Sequence, residues 1–588
     1  MDTFLLSWYQ TDSINALCAN NIVIMVFLLL LGLYMGFLPS HSVNGMTWFS
    51  QFVLTKSQQR VSILRSSTLS SEDWWKDLAP PFSLADEVDE NDEDDVYASM
   101  GEDDEDESDF SESSEFSSPE QRPTVTHFCF LVHGHRGYSR DLSYLQHKME
   151  RVAKEVNRKR KRERIKRLSN LTAEERAAEL ECAVHELVVH AVVCNERKTD
   201  DGVANGGERL VEEMITTIRE EMSKRRPFAS PDNLQNVTIS IIGNSLGGIY
   251  SRYAIAKLSA WCDPQDSTSS VLILDGKYAL HLNVFCTTAT PHLGIAGHTF
   301  FPIPRTAEIG VAHALGETGR DLFRVNDLLK RMATTDEFLR PLRAFRKRIA
   351  YANAYATDFP VPVRTAAFLS ESSSYPHHFV QDGDDADKLV VDDNGLVIAT
   401  LHTLAQHVVD KDSNNSVGDD ENDELVEMSR SLDSLGWKKV FIDVRNMIPS
   451  IPLPSVPKIS LPTVLIRKNR TVSTDESDTL ETVKQEDKDD VNVGGETRSD
   501  PVNLLKQKGN VVSSSDLAAA LSTHPLFGEE ILRWPRGHNM IVAFSRDPVS
   551  TYLNKGGRPV VNSLATELVD TIFGWNQSEV KEQCSIQC

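Results

Sequence analysis

Residues 236–258 read "NVTISIIGNSLGGIYSRYAIAKL" and hold Ser245 between two glycine positions, at the end of an apolar run. Residues 237–242 are β-branched and apolar enough to predict a buried strand. Residues 247–258 carry apolar side chains at helical spacing, so a helix is expected directly after the serine. A G-x-S-x-G string also arises by chance and ends ordinary strands. The strand before it and the helix after it favour a sharp strand-to-helix turn at Ser245.

Such a turn has a chemical consequence for the serine. It holds the Ser245 hydroxyl exposed above the sheet, while Gly243 and Gly247 keep the turn free of side-chain clashes. The amide of Leu246, at the start of the new helix, can point at a developing oxyanion. The stretch therefore predicts Ser245 as a candidate nucleophile.

Composition limits what the remainder of the chain can be. The 588 residues carry a formal net charge of −25, but residues 86–120 alone hold 18 Asp and Glu and no Lys or Arg. We expect a disordered acidic linker over 41–122. The eight cysteines are scattered, without a C-x-x-C pair, and read as small buried hydrophobes. With no H-E-x-x-H string present, neither a metal nor a cofactor is expected.

The N-terminal region contains a candidate membrane span. Residues 22–38 form a run of 17 uncharged residues, and no Lys or Arg precedes it. A basic n-region and a clear cleavage site are both missing, so an uncleaved anchor at about 20–40 is favoured over a signal peptide. Lys56, Arg60 and Arg65 follow the run, which predicts a single-pass protein whose catalytic part is cytosolic.

The region from about 123 to 580 reads as one catalytic domain. Apolar strands alternate with amphipathic helical stretches such as 207–222, which predicts an α/β fold with a mostly parallel sheet and helices on both faces. The predicted strands cover 127–135, 186–193, 237–242, 282–291, 348–357 and, last, 438–444.

Two insertions interrupt this pattern. The first, at about 151–181, is strongly basic and reads as a solvated helical excursion. Contact with anionic lipid headgroups, or with the protein's own acidic tract, is the alternative, and nucleic acid is not an expected partner beside a membrane anchor. The second, at about 449–515, is polar and proline-containing and is predicted to be a disordered loop.

A nucleophilic serine needs a base, an acid and a second oxyanion donor. His-Gly at the end of an early strand lets the backbone amide around His135 approach the site. Asp358 follows a strand and precedes two prolines, a position from which its carboxylate can reach a histidine. His538 lies in a loop after the last predicted strand, with His524 as the fallback base. His292 either contacts substrate or, more simply, forms part of a structural turn.

Several motifs carry a family resemblance when taken together in this order. They are "FLVHGHRGYSRDLSYL", "TDDGVANGGERLVEEM", "IGNSLGGIYSRYA", "TTATPHLG", "YANAYATDFPVPVRTA" and "GHNMIVAFSRDPV". The chain resembles the eukaryotic putative serine esterase family of lipase-like α/β-hydrolases over most of residues 125–575. The resemblance implies an α/β-hydrolase fold with Ser245 as nucleophile, Asp358 as acid and His538 as base. Thr357 stands where relatives carry an asparagine, and Ser563 lies where many carry a second histidine.

The expected activity is therefore that of a membrane-anchored serine hydrolase acting on esters of lipid-like substrates. Thioesterase and amidase activities use the same residues, so the sequence does not choose among them. A catalytically silent hydrolase fold, used as a binding or scaffold module at a membrane, is the alternative from a different functional class.

Overall fold

The structure, a computed structural model, describes residues 124–168, 172, 184–225, 234–262, 271–298, 304–380, 396–406, 421–447, 501–522 and 536–575. The predicted anchor at about 20–40, the linker over 41–122, residues 449–500 of the second insertion and the fallback base His524 lie outside these ranges. Within them, no helix combines the length and the apolar character needed to cross a membrane.

One ten-stranded sheet organises the described residues, in the order β10-β7-β8-β9-β6-β5-β3-β1-β2, with β4 paired to β5. The strands are β1 Thr124–Val132, β2 Val184–Ala191, β3 Gln235–Asn244, β4 Val271–Leu274, β5 Tyr278–Thr288, β6 Lys347–Asn353, β7 Pro376–Phe379, β8 Val397–His402, β9 Lys438–Ile442 and β10 Val511–Ser513. The neighbours from β2 to β9 through β1, β3, β5 and β6 pair in parallel, and the pairs of β8, β7 and β10 are antiparallel. A mostly parallel mixed sheet of this kind is consistent with an α/β-hydrolase-like fold.

The helices connect these strands and cover the sheet. They are α1 Ser143–Leu168, α2 Val203–Ser223, α3 Leu246–Trp261, α4 Arg305–Ala314, α5 Gly316–Leu322, α6 Leu328–Thr334, α7 Asp336–Arg343, α8 Val363–Ala366, α9 Glu421–Asp433, α10 Pro501–Lys508, α11 Ser514–Leu521, α12 Gly537–Met540, α13 Pro548–Asn554 and α14 Arg558–Phe573.

Strand β1 shows how the sheet divides the core. Phe128 and Phe130 belong to the cluster that also contains the buried faces of α2 and α3. Cys129 and Leu131 belong to a second cluster, with residues of α1 and α14. Because successive side chains of a strand point to opposite faces, the two clusters lie on the two sides of the sheet. The predicted helical cover on both faces is therefore present.

The cysteines of the described residues behave as predicted. Cys129, Cys262 and Cys286 are buried, Cys194 is half-buried, and all four are free thiols. Burial raises the pKa of the Cys262 thiol to about 11, so it stays protonated at neutral pH.

The basic insertion is a continuation of α1. Val152 and Ala153 are buried in the second core cluster, whereas most residues from 154 to 168 are exposed. The helix therefore begins as part of the core and only its later turns form the predicted solvated excursion.

The prediction of a disordered loop up to residue 515 is wrong at its C-terminal end. Residues 501–515 form α10, β10 and the start of α11. Val502, Leu505 and Val512 are buried in a third cluster, which packs at the end of β6. These scattered apolar residues are too few for a sequence pattern, and tertiary contacts order the segment. Strand β10 also means that 438–444 does not contain the last strand.

Candidate active site

The backbone at Ser245 is the first feature of the site. Ser245 separates β3 from α3 and has φ 54° and ψ −128°, outside the conformations that side chains other than glycine commonly adopt. A backbone of this kind costs about 1–3 kcal/mol and persists only where the surrounding structure enforces it. Leu246 is the first residue of α3, so its amide is one of the donors that the helix itself leaves unpaired.

Two glycines make the turn sterically possible. A β-carbon on Gly247 would lie 2.1 Å from the Val132 carbonyl oxygen, and one on Gly243 would lie 2.4 Å from the Gly248 Cα. Both distances are far below van der Waals contact, so neither position accepts a larger residue without backbone movement. The glycines on either side of Ser245 are thus required by close backbone approach.

The loop after β1 contacts the serine. A β-carbon placed on Gly134 would be 2.7 Å from the Ser245 Cβ, and 3.2 Å from its Oγ. The imidazole of His135 turns away, and its Nε2 lies 2.7 Å from the Asp200 Oδ1. Burial lowers the pKa of His135 despite this carboxylate. With its side chain engaged by Asp200, His135 remains a predicted oxyanion donor through its backbone amide only.

Asp358 is buried and accepts hydrogen bonds from its own segment. Asn353 Nδ2 donates to Asp358 Oδ2 over 2.9 Å, and the Val361 amide donates to Oδ1 over 2.9 Å. The strand that precedes it ends at Asn353, and Tyr355 and Ala356 then take φ values of 56° and 52°. This left-handed turn brings the carboxylate back towards the end of β6.

His538 lies against this carboxylate. Its Nδ1 is 3.1 Å from both oxygens of Asp358. The backbones of the two segments are also joined, because the Gly537 amide donates to the Thr357 carbonyl over 2.8 Å and Asp358 forms a β-bridge with Arg536. Since a carboxylate only accepts, the geometry assigns the proton to Nδ1 and leaves Nε2 able to accept one.

The carboxyl ends of the central strands bring these segments to one edge of the sheet. The Ser245 amide donates to the Thr288 carbonyl over 2.9 Å, and the Ala289 amide donates to the Tyr351 carbonyl over 2.9 Å. These bonds join the ends of β3, β5 and β6, the strand that leads to Asp358. Within the described part of the chain, the Ser245 hydroxyl makes no hydrogen bond, so His538 and Ser245 are not directly bonded. Catalytic hydrogen bonds are often long in an unliganded site.

His292 has a structural environment. It is fully buried, its Nε2 lies 3.0 Å from the Thr287 Oγ1, and its ring packs edge-on against Phe368 and Trp437. Burial, reinforced by the nearby Arg252 and Lys439, holds the pKa of His292 well below its ordinary value. These contacts favour the structural turn over substrate contact.

Sequence reasoning missed two supports of the site. One is Asn353, which holds Asp358 from the last position of β6. The other is the ion pair of Arg546 with the buried Asp141, whose two N–H···O distances are 2.8 and 2.7 Å. Arg546 also donates to the Arg136 carbonyl and so joins the loop after β1 to the segment after His538. The string "RDP" after His538 was the available sequence signal for Arg546, but its partner Asp141 lies about 400 residues earlier in the chain.

No group of three or more His, Cys, Asp or Glu side chains suited to a metal ion occurs among the residues with described positions.

Residues 122–372 match the family described as "Putative serine esterase (DUF676)". The chain is 30% identical over 189 residues to a protein of Saccharomyces cerevisiae named putative lipase ROG1, covering 31% of this chain and 24% of that protein. It is 26% identical over 252 residues to a Schizosaccharomyces pombe protein named putative lipase C4A8.10, covering 41% and 26%.

The chain thus spans about a quarter of the length of these curated relatives. The family match includes Ser245 and Asp358 and ends before His538. The resemblance predicted from the ordered motifs is confirmed over residues 122–372, which match the model of the DUF676 putative serine esterase family.

Proposed function

We propose that this protein is a serine hydrolase that cleaves carboxylic esters of lipid-like substrates. Ser245 attacks the acyl carbonyl, and His538 Nε2 takes the hydroxyl proton and returns it to the leaving alcohol. Asp358 orients the imidazole and stabilises its positive charge. The backbone amides near His135 and Leu246 bind the oxyanion, and water then releases the acyl group from Ser245.

One observation carries the proposal. A buried carboxylate is hydrogen-bonded to a histidine at the sheet edge where a serine occupies a strained strand-to-helix turn. A strained backbone for a residue other than glycine is costly and is commonly found where a side chain must be presented for chemistry. The family match supports the reaction class, and the names of the two yeast relatives support a lipid-like substrate.

Labelling with a fluorophosphonate probe tests the nucleophile. The wild-type protein is expected to become labelled and Ser245→Ala to remain unlabelled. Ser240→Ala is the matched control, because Ser240 lies in β3, the strand before Ser245, is fully buried, and its hydroxyl has no hydrogen-bond partner in the described structure. Equal labelling of wild type and Ser245→Ala would exclude Ser245 as the nucleophile, and no labelling of either protein would favour a silent scaffold.

The substrate class needs its own measurement. Turnover of an emulsified long-chain acyl ester by wild type, with none by Ser245→Ala, is the expected result. A preference for the matching acyl thioester would instead identify a thioesterase.

Membrane anchoring at about 20–40, with a cytosolic catalytic domain, is proposed from the sequence alone. Release of the full chain from membranes by alkaline carbonate would contradict the anchor.

A further inference from the structure

A cavity of about 170 Å³ opens at the amino ends of β6 and β9. Its lining includes Lys347 and Arg348 of β6, Lys438 of β9 and Glu567 of α14. Asp358 follows the opposite, carboxyl end of β6. A strand of seven residues spans about 20 Å, so this cavity is distinct from the site around Ser245.

The charges that line the cavity are unbalanced. Arg346 joins the three cations already named, and Glu567 is the one carboxylate among the lining residues. That carboxylate is already engaged, since its Oε1 lies 2.6 Å from Lys438 Nζ and its Oε2 accepts from the Tyr351 hydroxyl over 2.7 Å. The positive charge contributed by Lys347 and Arg348 therefore has no compensating carboxylate in the lining.

Arg348 is fixed in place but is not paired with an acid. Its Nε donates to the Gly436 carbonyl over 2.9 Å, and its Nη1 donates to the Arg343 carbonyl over 2.9 Å and to the Phe345 carbonyl. In the described chain, Nη2 has no hydrogen-bond partner and no carboxylate pairs with the guanidinium. Burial lowers the pKa of Arg348 to about 10, as expected for a cation that lacks an anion. Arg348 is half-buried and lines the cavity, so Nη2 is a donor that a ligand in the cavity can use.

We propose that this cavity binds the phosphate group of a small anion, either inorganic phosphate or a phosphomonoester. A guanidinium held by backbone carbonyls offers directional donors to phosphate oxygens, and the neighbouring lysine supplies a mobile charge. The volume corresponds to about six water molecules, enough for a tetrahedral anion of five heavy atoms. Lys347 and Arg348 together match a ligand with more than one negative charge.

Calorimetric titration of the full chain with sodium phosphate tests the site. Phosphate is expected to bind saturably, and sodium chloride at matched ionic strength is expected not to. Glycerol 3-phosphate forms a second arm, which separates the two sources of the phosphate group. Equal affinities indicate a site for the phosphate itself, and tighter binding of the ester indicates a phosphorylated metabolite or headgroup. Binding of neither ligand beyond chloride would overturn the proposal.

Substitutions of the residues that line the cavity test where phosphate binds. Lys347→Gln is expected to weaken phosphate binding by about two- to fivefold, as for loss of one exposed ion pair. Arg348→Lys, which keeps the charge but loses the guanidinium fork, is expected to weaken it by about tenfold or more. Lys277→Gln, at an exposed lysine in the turn before β5, is the matched control. If Arg348→Lys does not fold, Lys347→Gln alone tests whether phosphate binds in this cavity. Wild-type phosphate affinity in Lys347→Gln would refute the site.

Discussion

Gly134, in the loop after β1, lies close to the candidate nucleophile Ser245. Because a β-carbon there would come within 2.7 Å of the Ser245 Cβ, alanine would push the loop away from the serine. The backbone amides that the loop offers to an oxyanion would move with it. We expect Gly134→Ala to slow fluorophosphonate labelling by about a hundredfold, the cost of losing one oxyanion donor.

Gly310→Ala is the control for this substitution. Gly310 lies within α4, and a β-carbon there has no other atom within 4 Å. Alanine in a helix interior is neutral or stabilising by about 0.5–1 kcal/mol, so labelling should be unchanged. A wild-type labelling rate in Gly134→Ala would show that the loop takes no part in the reaction.

Single residues show where sequence reasoning works and where it stops. Ser245 and its glycines were predictable because strand, turn and helix are contiguous in the chain. Asp358 and His538 were predicted from their positions after strands and from the family motifs, and the structure places them in contact. Asn353 could not be predicted, since its contact with Asp358 depends on the left-handed turn at residues 355 and 356. No local pattern specified that turn.

A fully buried ion pair joins the last residue of α9 to β9. Lys439 Nζ lies 2.6 Å from Asp433 Oδ1, 2.8 Å from His377 Nε2 and 3.8 Å from the centroid of the Phe368 ring. Burial raises the pKa of Asp433 to about 6 and lowers that of Lys439 to about 8, although each group stabilises the charge of the other. The pair thus holds β7, β9 and α9 together at a considerable desolvation cost.

Removing one member of this pair should be far more damaging than removing both. Lys439→Met leaves Asp433 buried without its cation, and we expect it to lower the free energy of unfolding by about 3–5 kcal/mol. The double variant Asp433→Leu with Lys439→Met should recover most of that loss, because no buried charge remains. Urea unfolding near pH 7.5 measures both. A loss below about 1 kcal/mol in the single variant would mean that water reaches the pair.

The length of a strand or helix decides how well the sequence predicts it. The longer parallel strands and the amphipathic α2 have enough residues for their periodicity to be read from sequence. Strands β4, β7 and β10 have four, four and three residues, and β7 reads "PHHF". Strands this short carry no alternation that differs from a loop, and pairing with a neighbouring strand decides their conformation.

Most of the net charge of −25 does not belong to the folded domain, because 18 acidic residues lie in residues 86–120, within the predicted linker. The acid response of the domain depends instead on buried histidines. Burial lowers the pKa of His127 to about 3, of His281 to about 4, of His298 to about 3 and of His377 to about 2.

The direction of this effect follows from proton uptake. Between about pH 3 or 4 and 6.5, these histidines bind protons in the unfolded chain and not in the folded one, so stability falls as pH falls through that window. Asp433 acts in the opposite direction, because its raised pKa means that the folded state binds the additional proton between about pH 4 and 6. Among the described residues, eight histidines have a lowered pKa, whereas two aspartates, Asp321 and Asp433, have a raised one, which predicts a net loss of stability on acidification.

The contribution of a single buried histidine to the pH dependence of stability can be measured at His298. Its ring is buried, neither ring nitrogen has a hydrogen-bond partner among the described residues, and Arg364 and Arg324 further disfavour its protonation. In His298→Leu, the free energy of unfolding should fall less steeply below pH 6.5, by up to about 1.4 kcal/mol per pH unit. Urea titrations near pH 7.5 and pH 5 measure this. The difference in the free energy of unfolding between variant and wild type at pH 7.5 reports the altered packing, and any additional difference at pH 5 reports the protonation of His298. Parallel pH dependences for wild type and variant would show that His298 titrates alike in the folded and unfolded states.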